Sequence, residues 1–288
     1  MSLIVPFDPW KNNLCSCPAK YSLSAYTGCD HFCLYCYASS YIKNFHSPRP
    51  KKEFLRRLEK DIKKIPPNSS ITIANSSDPY LPLEKELKLT RAALKIIRSQ
   101  KIQLMIVTKS SLVLRDIDIL CDIKLAVISL SFTTLDTALA KRLEPFASTP
   151  MDKLKTIEKL SKKLPVICRL DPLIYPLNTD KIRKIVKEFK KRGVKQIITS
   201  TYKAKPDNLK RMFAGFPEYK RIWYKLYIEK GGRFGRYIYL PEELRRKLIE
   251  EVRQECLKEN IDFSTCREGF SRLNTKSCDG SSFLKDTV

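Results

Sequence analysis

The 288-residue sequence contains no run of 18 or more apolar residues, so it offers no helix able to span a membrane. Its opening, MSLIVPFDPWKNN, carries a Pro and an Asp where a secretory signal would carry its apolar stretch, and the expectation is a soluble, cytoplasmic protein. Acidic residues are scarce: 31 Asp and Glu face 55 Lys and Arg, a formal net charge of +24. Such an excess attracts a polyanion and fits nucleic acid better than an acidic small molecule alone. A thermophile's Lys-rich surface is the other source of positive charge, but those surfaces usually balance Lys with Glu. Internal repeats and low-complexity segments are also missing. Hydrophobic residues make up 43% of the chain, enough for a sizeable core, which excludes wholesale disorder and allows one large domain or two ordinary ones.

What the chain does have is ten cysteines. Without a secretory signal they argue against a disulfide framework and for metal or redox chemistry. Cys121 and Cys168 adjoin or sit in strand-like runs and read as small buried hydrophobes. Cys256 lies on a charged helical stretch and is assigned no role. The other seven cluster toward the two ends.

From residue 21, apolar runs at 21–26, 71–74, 102–107, 125–130, 166–170 and 196–199 alternate with charged segments of helical period at 51–64, 85–99, 112–120, 135–143 with 151–162, and 179–192. No Asn-Gly or Asp-Gly hairpin signal separates these units, which implies a parallel sheet with crossover helices. Periodicity alone leaves an open doubly wound sheet and a barrel as alternatives; in both, chemistry belongs at the carboxyl ends of the strands. The pattern divides the chain into an N-terminal segment (1–20), a core (21–202) and a C-terminal region (203–288) that holds a further helix at 241–259 and a Cys-containing tail.

Directly after the first strand comes Thr27-Gly-Cys-Asp-His-Phe-Cys-Leu-Tyr-Cys-Tyr-Ala38, which spaces Cys29, Cys33 and Cys36 as CxxxCxxC. Three thiolates on one short loop can hold three irons of a [4Fe–4S] cube and leave the fourth iron open. Zinc is the alternative, although structural zinc takes four ligands, and His31 could be the fourth only through awkward loop geometry.

This motif resembles that of the radical S-adenosylmethionine (SAM) enzymes. Further segments, Asn75-Ser-Ser-Asp-Pro-Tyr80, Val107-Thr-Lys-Ser-Ser111, Ile128-Ser-Leu-Ser131 and Arg169-Leu-Asp-Pro172, are similar in order to blocks of the spore photoproduct lyase-like branch. The resemblance implies an incomplete (β/α)6 barrel with a basic, Cys-containing C-terminal extension. It also implies a [4Fe–4S] cluster on Cys29, Cys33 and Cys36, with SAM chelating the open iron and cleaved by one electron to a 5′-deoxyadenosyl radical. The electron would come from a donor such as ferredoxin or flavodoxin. By the same resemblance Lys109 and Ser129 hold the SAM carboxylate, with Ser131 on the same strand face. Asn75, Ser76, Ser77 and Asp78 form the loop at its amino group, and Tyr35 stands against the adenine. One departure matters: Asn75 falls where the spore lyase has its hydrogen-donating cysteine, so repair of spore photoproduct by that route is not expected.

Several residues keep two readings. Lys109 could be a solvated surface charge and Asp78 a turn former. Arg169 and Asp171 could be a structural ion pair or could line the substrate pocket. Cys15, Cys17, Cys266 and Cys278 could share an auxiliary iron–sulfur cluster or zinc ion if the tail folds back on the N-terminus, or could be free thiols or a disulfide. Residues 203–238 hold ten Lys or Arg against three Asp or Glu, interleaved with aromatics. That mixture suits single-stranded DNA or RNA, with Tyr224 for stacking and Arg233 and Arg236 for phosphates, whereas Trp223 and Tyr227 at i, i+4 suit a buried face. The function expected is radical SAM repair or modification of a nucleic acid. The alternatives are modification of a peptide or protein and a non-catalytic nucleic-acid-binding iron–sulfur protein.

Overall fold

The computed structural model describes residues 2–7, 14–73 and 76–284. All six apolar runs of the core become strands. A short β1 (Val5–Pro6) runs antiparallel to β2 (Tyr21–Leu23). Then β2, β3 (Ser70–Ile73), β4 (Gln103–Thr108), β5 (Ala126–Phe132), β6 (Val166–Leu173) and β7 (Gln196–Thr201) follow side by side, every pair parallel. The spatial order follows the chain and never reverses, which resolves the open choice: the sheet winds in one direction, as in a barrel, and is not doubly wound. Among the described residues β1 and β8, the two outer strands, do not pair, so the barrel is incomplete.

The strand β8 (Asp262–Thr265), parallel to β7, comes from the C-terminal region. That region therefore completes the sheet of the core. Its sequence signal is short: Asn260, in the left-handed conformation, ends the helix Glu242–Lys258, and Ile261, Phe263 and Thr265 then alternate with Asp262 and Ser264. Gly193 plays the same part between the helix Ile182–Lys191 and β7. The helix expected over 85–99 is two helices, Glu84–Leu87 and Leu89–Ile97, because Lys88 between them is left-handed at φ 50°. No helix among the described residues is long and apolar enough to cross a membrane.

Pleating decides what faces the barrel interior. Along β5, Ala126, Ile128, Leu130 and Phe132 join the main core beneath the helices. Val127, Ser129 and Ser131 point the other way, inward. The inner face has two levels. Near the amino ends of the strands it is apolar, with Met105, Val127, Ile167 and Ile198 packed on Leu284 of the tail. Toward the carboxyl ends it is polar, with Ser131, Arg169, Asp171 and Ser200 lining a cavity. The tail reaches the apolar level only because residue 280 is glycine: it sits at φ 85°, and a Cβ there would lie 2.4 Å from Ile167 Cδ1. A buried ion pair between Lys20 and Asp279 holds the tail beside β2.

Candidate functional site

The cysteine loop leaves the barrel after the short strand Tyr26–Thr27. Gly28 makes the turn at φ 88°, and any Cβ there would stand 2.5 Å from the Phe45 carbonyl oxygen that accepts the Cys29 N–H at 2.7 Å. On its other side the loop is gripped by backbone bonds. Leu34 N donates to Leu143 O at 2.9 Å, and Asn208 Nδ2 donates to Tyr35 O at 3.0 Å. Arg211 donates to Leu34 O at 3.1 Å and to Cys36 O at 2.6 Å. Sequence reasoning missed Asn208 as a site residue and counted Arg211 among the phosphate-binding charges. Both lie on the helix Pro206–Gly215, and their task is to fix the loop.

Cys29, Cys33 and Cys36 converge on one cavity of about 170 Å³, together with Ser77, Asp78 and Lys109. Burial pushes all three thiols up, Cys29 to about 12. Burial thus favours the protonated thiols, and a bound cation that displaces their protons favours the thiolates. Among the described residues no three Cys, His or acidic side chains, the loop triplet included, stand as a preformed metal-binding group. A bound metal has to draw them together.

Lys109 is no solvated surface charge. Its Nζ lies 3.2 Å from Glu144 Oε1 and 5.3 Å from the centre of the Tyr35 ring. Glu144, which no sequence motif marks, is almost fully buried. It also accepts from Lys153 Nζ at 2.7 Å, from Thr133 Oγ1 at 3.1 Å and from the Tyr35 hydroxyl. Burial opposes charge on both partners, yet their attraction holds Lys109 above its ordinary value and, with Lys153, holds Glu144 well below the usual carboxylate range. Tyr35 thereby links the cysteine loop to the lysine at the end of β4.

Asp78 proves to be a turn former that also positions Lys109. Its carboxylate accepts from Tyr80 N at 2.9 Å, from Thr108 Oγ1 at 2.7 Å and from Lys109 N at 2.7 Å. Ser76 lines this cavity and both of its neighbours, of about 220 and 400 Å³. Asn75 lies outside the described residues. Ser129 Oγ is buried without a hydrogen-bond partner, an unmet demand on the inner face. Arg169 and Asp171 form the ion pair, at 3.1 Å, with Ser200 Oγ donating to Asp171 at 2.6 Å, and both line the two larger cavities.

The structure divides the 203–238 stretch. Phe216, Trp223, Tyr227 and Tyr237 are buried, as the spacing suggests for Trp223 and Tyr227. Arg233 and Arg236 lie on a hairpin, Gly232–Phe234 with Tyr237–Tyr239. Tyr224, Arg233 and Arg236 are exposed, and none of them lines the three cavities. The aromatic and basic groups that do reach the cavities come mainly from elsewhere. Tyr37, Tyr41 and Arg267 are lining residues, Lys205 Nζ stands 5.2 Å from the Tyr41 ring and 4.6 Å from that of Tyr237, and Arg267 stands over Tyr37 and Tyr237. Finally, Cys15, Cys17, Cys266 and Cys278 share the wall of the largest cavity.

Residues 23–188, more than half of the chain, match the family model of the radical SAM superfamily. The chain belongs to that family. An uncharacterised protein of Methanocaldococcus jannaschii is 37% identical over 147 residues, 48% of this chain and 55% of that protein. An uncharacterised protein of Acidianus two-tailed virus is 29% identical over 183 residues, 58% of this chain and 60% of that protein. The chain thus spans little more than half the length of either relative. In fold it is similar to a spore photoproduct lyase variant with bound AdoMet and dinucleoside spore photoproduct, at TM-score 0.71, 17% identity, 88% of this chain and 78% of that one. Streptococcus suis SuiB bound to precursor peptide SuiA gives TM-score 0.55 and 17% identity over 85% of this chain and 48% of that one. Radical SAM membership indicates an enzyme and implies a [4Fe–4S] cluster and SAM. The residues of this chain fit both groups: three thiols on one backbone-anchored loop match a cube with one open iron, Lys109 and Ser131 line the same cavity, and the Ser129 hydroxyl on the same strand as Ser131 is buried without a partner.

Proposed function

We propose that this radical SAM enzyme acts on an unpaired nucleotide of DNA or RNA. The observation that carries the reading is the wall of one cavity, where Tyr37, Tyr41 and Arg267 stand together with Arg169 and Asp171, and Lys205 lies over the Tyr41 ring. Aromatic faces stack bases whatever their sequence, and basic groups neutralise phosphates. The net charge of +24 supports a polyanionic partner.

Cys29, Cys33 and Cys36 hold the cluster, while Lys109, Ser129, Ser131 and the Ser76–Asp78 loop hold SAM. When bound, the two cofactors supply a 5′-deoxyadenosyl radical. The chain's own part is positional. Glu144 and Asp78 fix Lys109 from opposite sides, one through Nζ and the other through the backbone N–H. Arg211 and Asn208 hold the loop carbonyls, and the Arg169–Asp171 pair faces the space where substrate would enter. A carbon inside a stacked duplex is out of reach of such an interior site, so the nucleotide must be flipped or already single-stranded. Asn75 supplies no thiol hydrogen, so the reaction is not spore photoproduct repair by the lyase's route.

The test is binding of a single-stranded oligonucleotide at several salt concentrations. Affinity should fall steeply with salt, and replacing Arg236 or Lys205 should lessen the slope of log K against log salt by up to about 0.7 for each phosphate that is no longer neutralised. Binding that ignores salt, or none at all, would turn the reading toward a peptide substrate.

A further inference from the structure

We propose that Cys15, Cys17, Cys266 and Cys278 hold one zinc ion in a closed four-thiolate site that clasps the C-terminal tail to the N-terminal segment. These thiols come from three parts of the chain that are remote in sequence, yet all four line one cavity of about 400 Å³. Cys17 Sγ and Cys278 Sγ are 3.6 Å apart. Cys15 interacts with Cys17 through both the thiol and the Cys17 backbone N–H, and Ser16 Oγ donates to Cys278 Sγ at 3.6 Å. Cys266 faces the same space from just beyond β8 and hydrogen-bonds Arg169.

The one close pair of sulfurs, Cys17 and Cys278 at 3.6 Å, bears on the occupant. A disulfide needs its sulfurs at about 2.05 Å, far closer than this pair. Sulfurs ligating an iron–sulfur cube sit on different irons and are held farther apart. Around a single tetrahedral zinc with Zn–S near 2.3 Å, neighbouring sulfurs are about 3.8 Å apart, close to the observed separation. Binding releases the thiol protons and changes no oxidation state. Four thiolates and Zn²⁺ leave a net charge of −2, and the nearest cations, Arg169 at Cys266 and Lys20 close to Cys17, each also face a carboxylate, Asp171 and Asp279. The site would do what the apolar plug of Leu284 alone does weakly, namely anchor a tail that fills the amino-terminal mouth of the barrel.

This inference uses another part of the wall of the cavity assigned above to the nucleotide, and it does not need that reading, because its test reads metal alone. The full chain carrying Cys29→Ala, Cys33→Ala and Cys36→Ala should contain about one zinc per chain by mass spectrometry of the metal, with no acid-labile sulfide. Adding Cys17→Ser or Cys278→Ser should lower zinc at least tenfold. On the chain with its four thiols intact, replacing zinc by Co²⁺ should give the absorption bands of a tetrahedral thiolate site, a readout that does not depend on a variant folding. A zinc-free triple variant, iron with sulfide in place of zinc, or a Cys17–Cys278 disulfide found by peptide mass under non-reducing conditions would overturn the proposal.

Discussion

The two ends of the barrel interior are built from the same strands and differ in almost every other respect. At the carboxyl end the inward residues are Ser129, Ser131, Arg169, Asp171 and Ser200, and a loop anchored by Gly28 and Arg211 brings three thiols over them. At the amino end the inward residues are Met105, Val127, Ile167 and Ile198, sealed by Leu284. One strand thus serves both ends: in β5, Val127 seals and Ser131 lines the cavity, four residues apart on the same pleat. The difference teaches that the reactive end is kept open and polar while the other end is closed by chain that arrives last, so the two ends should fail separately.

The largest expected effect is on cofactor loading. Replacing Cys29, Cys33 and Cys36 together by Ala should remove essentially all iron that responds to SAM while the far-ultraviolet circular dichroism stays unchanged, because the loop is fixed through backbone bonds that alanines keep. A collapse of the fold in that variant would contradict the separation of the two ends.

Next in size is Lys109→Ala, which should weaken SAM binding by about 1.5–3 kcal/mol, the range for a charge-assisted hydrogen bond. Glu144 keeps Lys153, Thr133 and Tyr35 as partners, so the variant should remain folded. Calorimetry that finds unchanged SAM affinity would remove Lys109 from the site.

What could be read beforehand divides along the same line. The reactive end was legible because its signals are local: CxxxCxxC within eight residues, a Lys just past a strand, two Ser at i, i+2. Glu144, Asn208 and Arg211 were not, since their partners in the cysteine loop lie 109 to 177 residues away and they carry no motif of their own. The closed end was mostly hidden. Its seventh parallel strand, Asp262–Thr265, is four residues long with three polar members, and the plug depends on Gly280 meeting Ile167 across the barrel. In the basic, aromatic stretch only the i, i+4 pair Trp223 and Tyr227 could be sorted beforehand, because composition gives the character of a segment and not which side of it faces solvent.

At the closed end, Gly280→Ala places a Cβ against Ile167 at a backbone angle that favours glycine. It should lower stability by about 1–3 kcal/mol in a denaturant titration, the cost of a strained backbone position. SAM affinity should be unaffected. A loss of SAM binding in parallel would show that the ends are coupled after all.

The smallest effect is predicted at the rim. Tyr41, 42% exposed and on the cavity wall, should lose roughly 1–3 kcal/mol of single-strand affinity on truncation to Ala, as for a stacked base, with little change in salt slope. Tyr224, exposed but away from the cavities, should lose less. Equal losses at the two positions would mean that the nucleic acid is not directed into the cavity.

The account's central claim is that the cysteine loop and the polar end of the barrel form one site for a cluster and SAM. Electron paramagnetic resonance of the anaerobically reconstituted, reduced protein, recorded with and without SAM, tests it most directly. The account predicts a [4Fe–4S]⁺ signal whose shape changes when SAM is added, and a weaker response at the same SAM concentration in Lys109→Ala. A cluster signal that SAM leaves untouched would contradict it.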